Sequence, residues 1–299
     1  MGVLVIGGTG LIGGALARAW RRRGAAVEAT YHLLPEPGLR GLDMTDEGAV
    51  RGLLEELRPD FVALPAANPH VDYCQLHPEE TRRVNVAATL MVARACRRAR
   101  ARMVFFSSDY VFDGRKDSYC ESDPPRPLNE YGRQKAEAEA GVLAEDAGNL
   151  IVRTSGAYGW QRQPKNFVLQ LRERLSRGLR MAVASDLLYN PTAADNLAEV
   201  VAELREKGAG GVFHVVGAQR LARYEFALLA ARAFGLKESL LDAVPSGSFP
   251  SVAPRPRSST LETGKLRCLV STPLWGASEG LRRMAAAPLP IKGSDSLLQ

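Results

Sequence analysis

Two residue types that can move a proton lie four positions apart in the helix-forming run EYGRQKAEA, residues 130–138. At this spacing, Tyr131 and Lys135 lie on one face of a helix. A phenol with its ordinary pKa of about 10 is a sluggish acid at neutral pH, and a nearby ammonium lowers that pKa by stabilising the phenolate. The pair could therefore deliver a proton to a carbonyl oxygen, although the same spacing occurs by chance on many helix surfaces.

A hydroxyl group that could assist lies upstream in FFSSDYVFDG, residues 105–114. Ser107 and Ser108 stand at the carboxyl end of a predicted central strand, where doubly wound sheets bind their ligands. Ser108 could hydrogen bond a substrate carbonyl while Tyr131 supplies the proton. Two serines that end a strand can also be an ordinary cap, so the hypothesis depends on their combination with Tyr131 and Lys135.

A glycine-rich segment, GGTGLIGG, lies between the first predicted strand and the first predicted helix. Gly7, Gly10 and Gly13 form a GxxGxxG pattern. Glycines allow a tight turn, and the missing side chains let the backbone reach a pyrophosphate at a helix N-terminus. Because it stands between strand and helix, this segment predicts a dinucleotide site.

The end of the second predicted strand bears on which dinucleotide is bound. An acidic residue is expected there when NAD is held through its ribose 2′-hydroxyl. The strand instead ends Thr30-Tyr31-His32, and Glu28 lies in its middle. His32 or Arg40 could contact a 2′-phosphate, which favours NADP(H) and leaves NAD(H) open.

Three further polar positions have alternative interpretations. Asp43, in LDMTD, could hydrogen bond the adenine amino group or simply neighbour a helix cap. Arg255 and Arg257 could bind a substrate phosphate, because the arginine fork matches phosphate geometry. They could equally be solvated charges on a Pro- and Ser-rich loop.

The elements that must position these groups alternate along the first half of the chain. Strands are predicted at 3–8, 26–31, 61–67, 102–108, 150–156 and 211–217, and helices at 11–24, 45–59, 80–100, 128–146, 166–178, 193–208 and 223–235. Strands that alternate with helices predict an α/β fold, a doubly wound parallel sheet. We expect a dinucleotide-binding domain over 1–160. Residues 161–299 should form mainly a smaller substrate-binding lobe, with segments that return to the sheet.

Composition excludes several classes of function. The 299 residues contain no apolar run near the ~18 that a membrane helix needs, and the N-terminus reads as a strand, so we expect a cytoplasmic protein. The four cysteines and four histidines form no metal-ligand pattern. The net charge of +6 comes mostly from arginine, but no aromatic residues interleave the basic clusters. An anionic small molecule is therefore a better partner than nucleic acid.

Together the motifs resemble the extended short-chain dehydrogenase/reductases, and specifically the dTDP-4-dehydrorhamnose reductase family. SSDYVFDG and PLNEYGRQK carry the resemblance most specifically, and it extends through PAAN (65–68), RTSGAYG (153–159), KNFV (165–168), PTAADNLAEV (191–200) and RPRSSTLET (255–263). It implies a Rossmann domain with a small C-terminal substrate lobe. It also implies NAD(P)H-dependent reduction of the C4 ketone of a nucleotide-linked 4-keto-6-deoxy sugar.

The resemblance implies a role for each matching residue. Tyr131 would donate the proton, Lys135 would lower the pKa of Tyr131 and hold the ribose, and Ser108 would polarise the carbonyl. The cofactor would be bound by Gly7, Gly10, Leu11, Ile12, Gly13, Tyr31, His32, Asp43, Met44, Ala66, Ala67, Asn68, Tyr131 and Lys135. The sugar would be contacted by Ser108, Asp109, Asn166 and Arg255.

Three departures from the family pattern concern the substrate. Sugar-nucleotide dehydratases carry Asp-Glu where this chain has Asp109-Tyr110, which disfavours dehydration. Gly156 stands where rhamnose reductases typically have an aromatic residue that packs on the sugar. The segment before Pro-Thr reads DLLYN, with Leu187 and Asn190 at unusual positions. These differences predict an altered substrate pocket around a retained hydride-transfer site.

Other functions remain open from the sequence. The main alternative is a non-catalytic NADP-binding regulatory subunit like that of methionine adenosyltransferase. A binding module has no need to keep Ser108, Tyr131 and Lys135 together, which favours an enzyme. A sugar-nucleotide epimerase is not excluded, and a homodimer is possible.

Overall fold

The computed structural model describes residues 2–33, 35–163 and 165–287. The strands are β1 (Gly2–Val5), β2 (Ala26–Tyr31), β3 (Arg40–Gly41), β4 (Phe61–Leu64), β5 (Arg102–Ser108), β6 (Leu150–Thr154), β7 (Ala157–Tyr158), β8 (Met181–Ala184), β9 (Leu188–Tyr189), β10 (Thr192–Ala193), β11 (Gly211–His214), β12 (Leu221–Ala222) and β13 (Leu241–Val244). The helices are α1 (Leu11–Arg22), α2 (Glu47–Leu57), α3 (Val71–Leu76), α4 (Pro78–Arg82), α5 (Thr89–Arg98), α6 (Glu130–Glu145), α7 (Phe167–Ser176), α8 (Ala194–Glu206), α9 (Arg223–Ala233), α10 (Gly264–Arg267) and α11 (Ala277–Ala286). A π-helical segment, Arg83–Ala88, joins α4 to α5.

Seven of the described strands form one parallel sheet in the order β11-β6-β5-β4-β1-β2-β3. Its central strands are buried on both faces, as expected for Val- and Phe-rich runs without alternation. Helices α1 and α8 cover one face with Leu16, Trp20 and Leu197, and helices α2, α5 and α6 cover the other. The predicted α/β fold with a doubly wound parallel sheet is confirmed.

The strands are shorter than predicted where the chain leaves the sheet towards the site. β1 ends at Val5 and β4 at Leu64, several residues before the predicted ends. The helix predicted over 80–100 forms as α4, the π-helical segment and α5. β3 is too short to leave a pattern in the sequence.

A second hydrophobic cluster lies beside the sheet and is built from the later part of the chain. Helices α7, α9 and α11 pack around Tyr158, Leu171, Phe226 and Leu281, together with the parallel pair β8 and β13. From the same part of the chain, α8 and β11 return to the main sheet. The division at residue 160 stays a prediction, and residues 288–299 of the expected second lobe lie outside the described residues.

Candidate active site

A cavity of about 380 Å³ opens at the carboxyl ends of β5 and β6. Parallel sheets place ligands at this edge, because several loops converge there. The lining comprises Ile12, Pro65, Ala67, Pro69, Val71, Phe106, Ser107, Ser108, Asp109, Tyr110, Tyr131, Lys135, Thr154, Ser155, Gly156, Ala157, Phe167, Leu187, Leu188, Tyr189, Arg223, Pro256 and Ser259. The three predicted catalytic residues Ser108, Tyr131 and Lys135 therefore face one space.

The start of α6 is fixed so that Tyr131 and Lys135 enter this cavity. Asn129 caps the helix, because its side-chain oxygen accepts a hydrogen bond of 2.9 Å from the Gly132 amide. A side chain at Gly132 would approach the Tyr110 carbonyl oxygen to 2.1 Å, so only glycine allows the helix to lie this close to the segment after β5. The Lys135 ammonium donates to the Phe106 carbonyl at 2.8 Å.

Burial controls the charge states of this pair. Burial raises the pKa of Tyr131 above its ordinary value, the charge of Asp109 acts in the same direction, and a hydrogen bond with Ser108 opposes them. Burial lowers the pKa of Lys135 to about 8, against the effect of the Glu139 carboxylate. Burial and the Asp109 charge set the net direction of this shift, and the expected lowering of the Tyr131 pKa by Lys135 stays a prediction. Tyr131 is therefore protonated at neutral pH, as a proton donor must be.

A buried ion pair lies behind the lysine. Glu139 follows Lys135 by one helical turn, and the Arg153 guanidinium donates to both of its carboxylate oxygens at 2.7–3.1 Å. Both residues are under 5% exposed. The pair places a fixed negative charge on the lysine side of α6 without exposing it to the cavity.

Ser108 belongs to a small polar network. Its hydroxyl donates to Asp109 at 2.9 Å and accepts from the Tyr110 amide at 3.2 Å. The Ser155 hydroxyl donates to the other Asp109 oxygen at 2.6 Å, and burial raises the pKa of that carboxyl. Two neighbouring hydroxyls that also line the cavity, those of Ser107 and Thr154, are buried without a hydrogen-bond partner in the described part of the chain.

The glycine loop has the geometry of a dinucleotide-binding turn. Gly7 has φ of +101°, and a side chain there would contact Ala66 at 3.0 Å. A side chain at Gly13 would lie 2.1 Å from the Gly7 carbonyl oxygen. Gly10 is the N-cap of α1 and offers no capping side chain, so the first amides of the helix stay free for an anion. These residues fit the pyrophosphate of a dinucleotide.

The predicted cofactor residues that follow β2 interact mainly with other side chains of the same region. His32 and Asp43 approach to 3.8 Å, and Asp43 also accepts from the Thr45 amide and hydroxyl at 2.8 and 2.7 Å. The alternative interpretation of Asp43 as a neighbour of a helix cap has direct support, because Asp46 caps α2 three residues later. Arg40 lies 2.6 Å from the Glu56 carboxylate and 3.8 Å from that of Glu28. Tyr31 ends β2, and Met44 is buried in the core on the α2 side of the sheet.

The segment after β4 forms another wall. Ala67 lines the cavity, and Ala66 lies against the glycine loop. The backbone of Asn68 is locked by the Asn85 amide, which accepts from the Asn68 N–H at 2.8 Å and donates to its carbonyl at 3.1 Å. Asn85 also donates to Gln134 on α6 at 2.8 Å. This network ties the cofactor-side wall to the helix that carries Tyr131.

Two predicted substrate residues are not brought into the cavity lining. Asn166 caps α7, and its amide donates to the Gly159 carbonyl at 2.9 Å. Arg255 forms a two-pronged ion pair with Asp72, with both nitrogen–oxygen distances 2.8 Å. This contact lowers the pKa of Asp72 to about 2. The neighbours Phe167 and Pro256 line the cavity instead.

Sequence reasoning missed the aromatic and cationic lining on the substrate side. Tyr189 fills the space beside Gly156: a Cβ on Gly156, which has φ of +50°, would lie 2.2 Å from the Tyr189 ring. Arg223 is the first residue of α9, and its guanidinium carbon lies 4.6 Å from the centre of the Phe167 ring. The arginine lies in the segment RYEFA, residues 223–227, and nothing in this segment indicated that it faces the cavity.

Strand order, glycine turn and the tyrosine–lysine pair at the strand ends define a Rossmann-like dinucleotide-binding protein. The family described as the RmlD substrate binding domain matches residues 1–288. The chain belongs to this family, and its resemblance to dTDP-4-dehydrorhamnose reductases is confirmed.

Relatives include reductases and a regulatory subunit. The chain is 32% identical to the probable low-salt glycan biosynthesis reductase Agl14 of Haloferax volcanii, covering 90% of this chain and 93% of the relative. It is 30% identical to the dTDP-4-dehydrorhamnose reductase of Escherichia coli, covering 95% and 97%. It is 29% identical to the methionine adenosyltransferase 2 subunit beta of Danio rerio, covering 89% and 84%. The crystal structure of dTDP-4-dehydrorhamnose reductase from Bacillus anthracis with NADP has a TM-score of 0.87 at 26% identity, covering 95% and 98%.

The described ranges lack both a candidate metal-binding cluster and a candidate membrane-spanning helix. Residues 2–33, 35–163 and 165–287 contain no cluster of three or more His, Cys, Asp or Glu suited to a metal ion. The same ranges contain no helix with the length and apolar character needed to cross a membrane.

Proposed function

We propose that this protein is an NADPH-dependent reductase of a nucleotide-linked 4-keto-6-deoxy sugar, of the dTDP-4-dehydrorhamnose reductase type. The observation that supports it most strongly is the meeting of Ser108, Tyr131 and Lys135 in one cavity at the strand ends. The bound NADP in the structure from Bacillus anthracis supports this cofactor. NADH remains the second choice, and the expected surroundings are the cytoplasm.

Each residue has a defined task. The amides at the start of α1 bind the pyrophosphate, and Ile12 of the same helix lines the cavity. The nicotinamide supplies a hydride when it is bound. Ser108 orients the substrate carbonyl, and Tyr131 donates its proton to the carbonyl oxygen. Lys135, held by the Phe106 carbonyl, stabilises the phenolate that forms.

The test is NADPH oxidation with dTDP-4-dehydrorhamnose, followed at the nicotinamide absorbance band, with NADH in parallel. Tyr131→Phe should reduce kcat by at least ~10²-fold, which is the range for lost general acid catalysis, and should keep its affinity for NADPH. Tyr224→Phe is the matched control, because Tyr224 packs in the second hydrophobic cluster and is not part of the cavity lining. Near-normal turnover in Tyr131→Phe would remove Tyr131 from this role.

A regulatory subunit is the second candidate, favoured by the similarity to methionine adenosyltransferase 2 subunit beta. That function requires dinucleotide binding without turnover. Measured NADPH binding with no oxidation of NADPH or NADH by the keto sugar would reject the proposed reductase and favour this alternative. A homodimer stays a prediction, to be checked by light scattering.

A further inference from the structure

We propose that Arg223 binds the phosphoryl groups of the substrate, at the end of the cavity that Tyr189 and Phe167 enclose. The inference depends on the proposed function, because a nucleotide-linked sugar is what would bring a diphosphate into this space. It assigns to Arg223 the task that the sequence had suggested for Arg255 and Arg257.

The surroundings of Arg223 leave its guanidinium available. The residue lines the cavity, and its backbone amide donates to the Leu187 carbonyl at 3.0 Å, which fixes the start of α9 against the substrate-side wall. In the described ranges no carboxylate lies within 4.0 Å of the guanidinium, and its side chain forms no hydrogen bond. Glu225, two residues along, is instead hydrogen bonded to the Ala222 amide at 2.8 Å.

The contact with Phe167 suits anion binding. The guanidinium carbon lies 4.6 Å from the ring centre, which restrains the side chain while its N–H groups remain able to donate. A guanidinium offers five donors in a planar fork that matches two phosphate oxygens. The walls beside it, formed by Tyr189, Leu187 and Pro256, contribute mostly apolar surface. Such walls reduce screening and strengthen a charge-assisted hydrogen bond.

The other charged groups of the lining have different tasks. Lys135 is buried and donates to the Phe106 carbonyl, and Asp109 is buried and bound by serine hydroxyls. The charges of both Arg223 and Asp109 act on the pKa of Tyr189, so this ring lies within electrostatic reach of both. Tyr131, Tyr189 and Arg223 all line the one cavity, so a substrate with its ketone at Tyr131 would extend along this lining to Arg223.

The two sequence-based candidates are less suited to this task. Arg257 is exposed and is not part of the cavity lining. Arg255 is engaged by Asp72 in a two-pronged ion pair and also donates to the Ala253 carbonyl at 2.6 Å. Those contacts hold the 252–255 segment against α3. Moving Arg255 to a phosphate would break this pair, whereas Arg223 would lose no polar partner among the described residues.

The experiment is calorimetric titration of dTDP and of thymidine into the wild-type protein and into Arg223→Gln and Arg223→Lys. Arg223→Gln should weaken dTDP binding roughly tenfold or more, as expected when a charge-assisted hydrogen bond is lost, and should leave thymidine and NADPH affinities unchanged. Arg223→Lys should be intermediate, since it keeps the charge and loses the fork. Arg172→Gln is the matched control, because Arg172 also stacks on an aromatic ring, 5.2 Å from the centre of Trp160, and is not part of the cavity lining.

Equal dTDP affinity in the wild type and Arg223→Gln would overturn the inference, and so would a wild type that binds no dTDP. If Arg223→Gln also lost NADPH binding, Arg223→Lys would be the variant that tests the inference. Unchanged dTDP affinity in Arg223→Lys would then refute the phosphate-binding role of Arg223. NADPH oxidation separates the two proposals. Turnover of the sugar nucleotide with an unchanged KM in Arg223→Gln would retain the reductase and reject the subsite. Loss of dTDP affinity in Arg223→Gln without any wild-type turnover would retain the subsite and reject the reductase.

Discussion

Replacing Lys135 by methionine should remove a pH-dependent penalty on folding. Burial lowers the pKa of Lys135 to about 8 from an ordinary 10.5. At 1.36 kcal/mol per pKa unit, this difference means that the folded state loses about 3 kcal/mol when the lysine is protonated. The penalty is fully present below pH 8, where both the folded and the unfolded chain carry the proton.

The sign follows from the proton count. Between pH 8 and 10.5 the unfolded chain binds more protons at this site than the folded protein, so raising the pH stabilises the folded state. From pH 7 to pH 10, the contribution of Lys135 to the free energy of unfolding should become more favourable by about 2 kcal/mol. Lys135→Met lacks this contribution. Other titrating groups are common to both proteins and cancel in the difference.

The assay is urea unfolding of wild type and Lys135→Met at pH 7, 8, 9 and 10, followed by circular dichroism. Any stability advantage of the variant should shrink steadily as the pH rises. Lys265→Met is the matched control, because Lys265 also donates to a backbone carbonyl, that of Val212 at 2.7 Å, and lies over a phenylalanine ring, but at an exposed site. A difference between wild type and Lys135→Met that stays constant over this pH range would refute the argument that Lys135 is desolvated. In the proposed reductase reaction of the wild type, the same titration should lower turnover above about pH 8.

Three further perturbations test other parts of the site. Gly13→Ala should abolish NADPH binding in calorimetry, because its Cβ would lie 2.1 Å from a backbone oxygen of the glycine loop. Gly52→Ala, in open space on α2, is the control and should not change NADPH binding. Equal NADPH affinity in the two variants would contradict the assignment of the glycine loop. Glu139→Gln should lower the free energy of unfolding by about 3 kcal/mol or more, because it leaves the buried Arg153 charge unpaired. An unchanged urea midpoint would contradict this expectation. Gly156→Ala should raise KM for the sugar nucleotide several-fold with an unchanged Kd for NADPH, because its Cβ would lie 2.2 Å from the Tyr189 ring of the cavity wall. An unchanged KM would show that the Tyr189 ring can move without affecting substrate binding.

The hydride-transfer side of the site could be predicted because its geometry is local in the sequence. Tyr131 and Lys135 are separated by one helical turn, and Ser108 stands at the end of a strand. The glycine loop is likewise one strand–turn–helix unit. These relations follow from backbone periodicity and from the placement of ligands at the ends of parallel strands. The sequence could not indicate that desolvation raises the pKa of Tyr131, because burial is a property of the tertiary structure.

The substrate side could not be predicted in the same way. Arg223, Tyr189 and Phe167 come from three separate segments, and only the tertiary packing around the second hydrophobic cluster brings them together. The arginine that did stand out, Arg255, has an acidic partner 183 positions away in Asp72. Charge pairing over that separation leaves no periodic signal, so an arginine count cannot distinguish a paired side chain from one that faces a ligand.

The glycine at position 156 shows how one departure from the family pattern changes meaning once its neighbour is known. Read alone, Gly156 removes an aromatic surface from the sugar site. In the structure its positive φ and missing side chain leave the room that the Tyr189 ring occupies, so an aromatic group still faces the cavity, from a different segment of the chain. An aromatic side chain at 156 and the present position of Tyr189 exclude each other sterically. Substitutions at the two positions should therefore be tested together. The residue at 189 determines whether the cavity wall is aromatic, and the residue at 156 determines whether there is room for the Tyr189 ring.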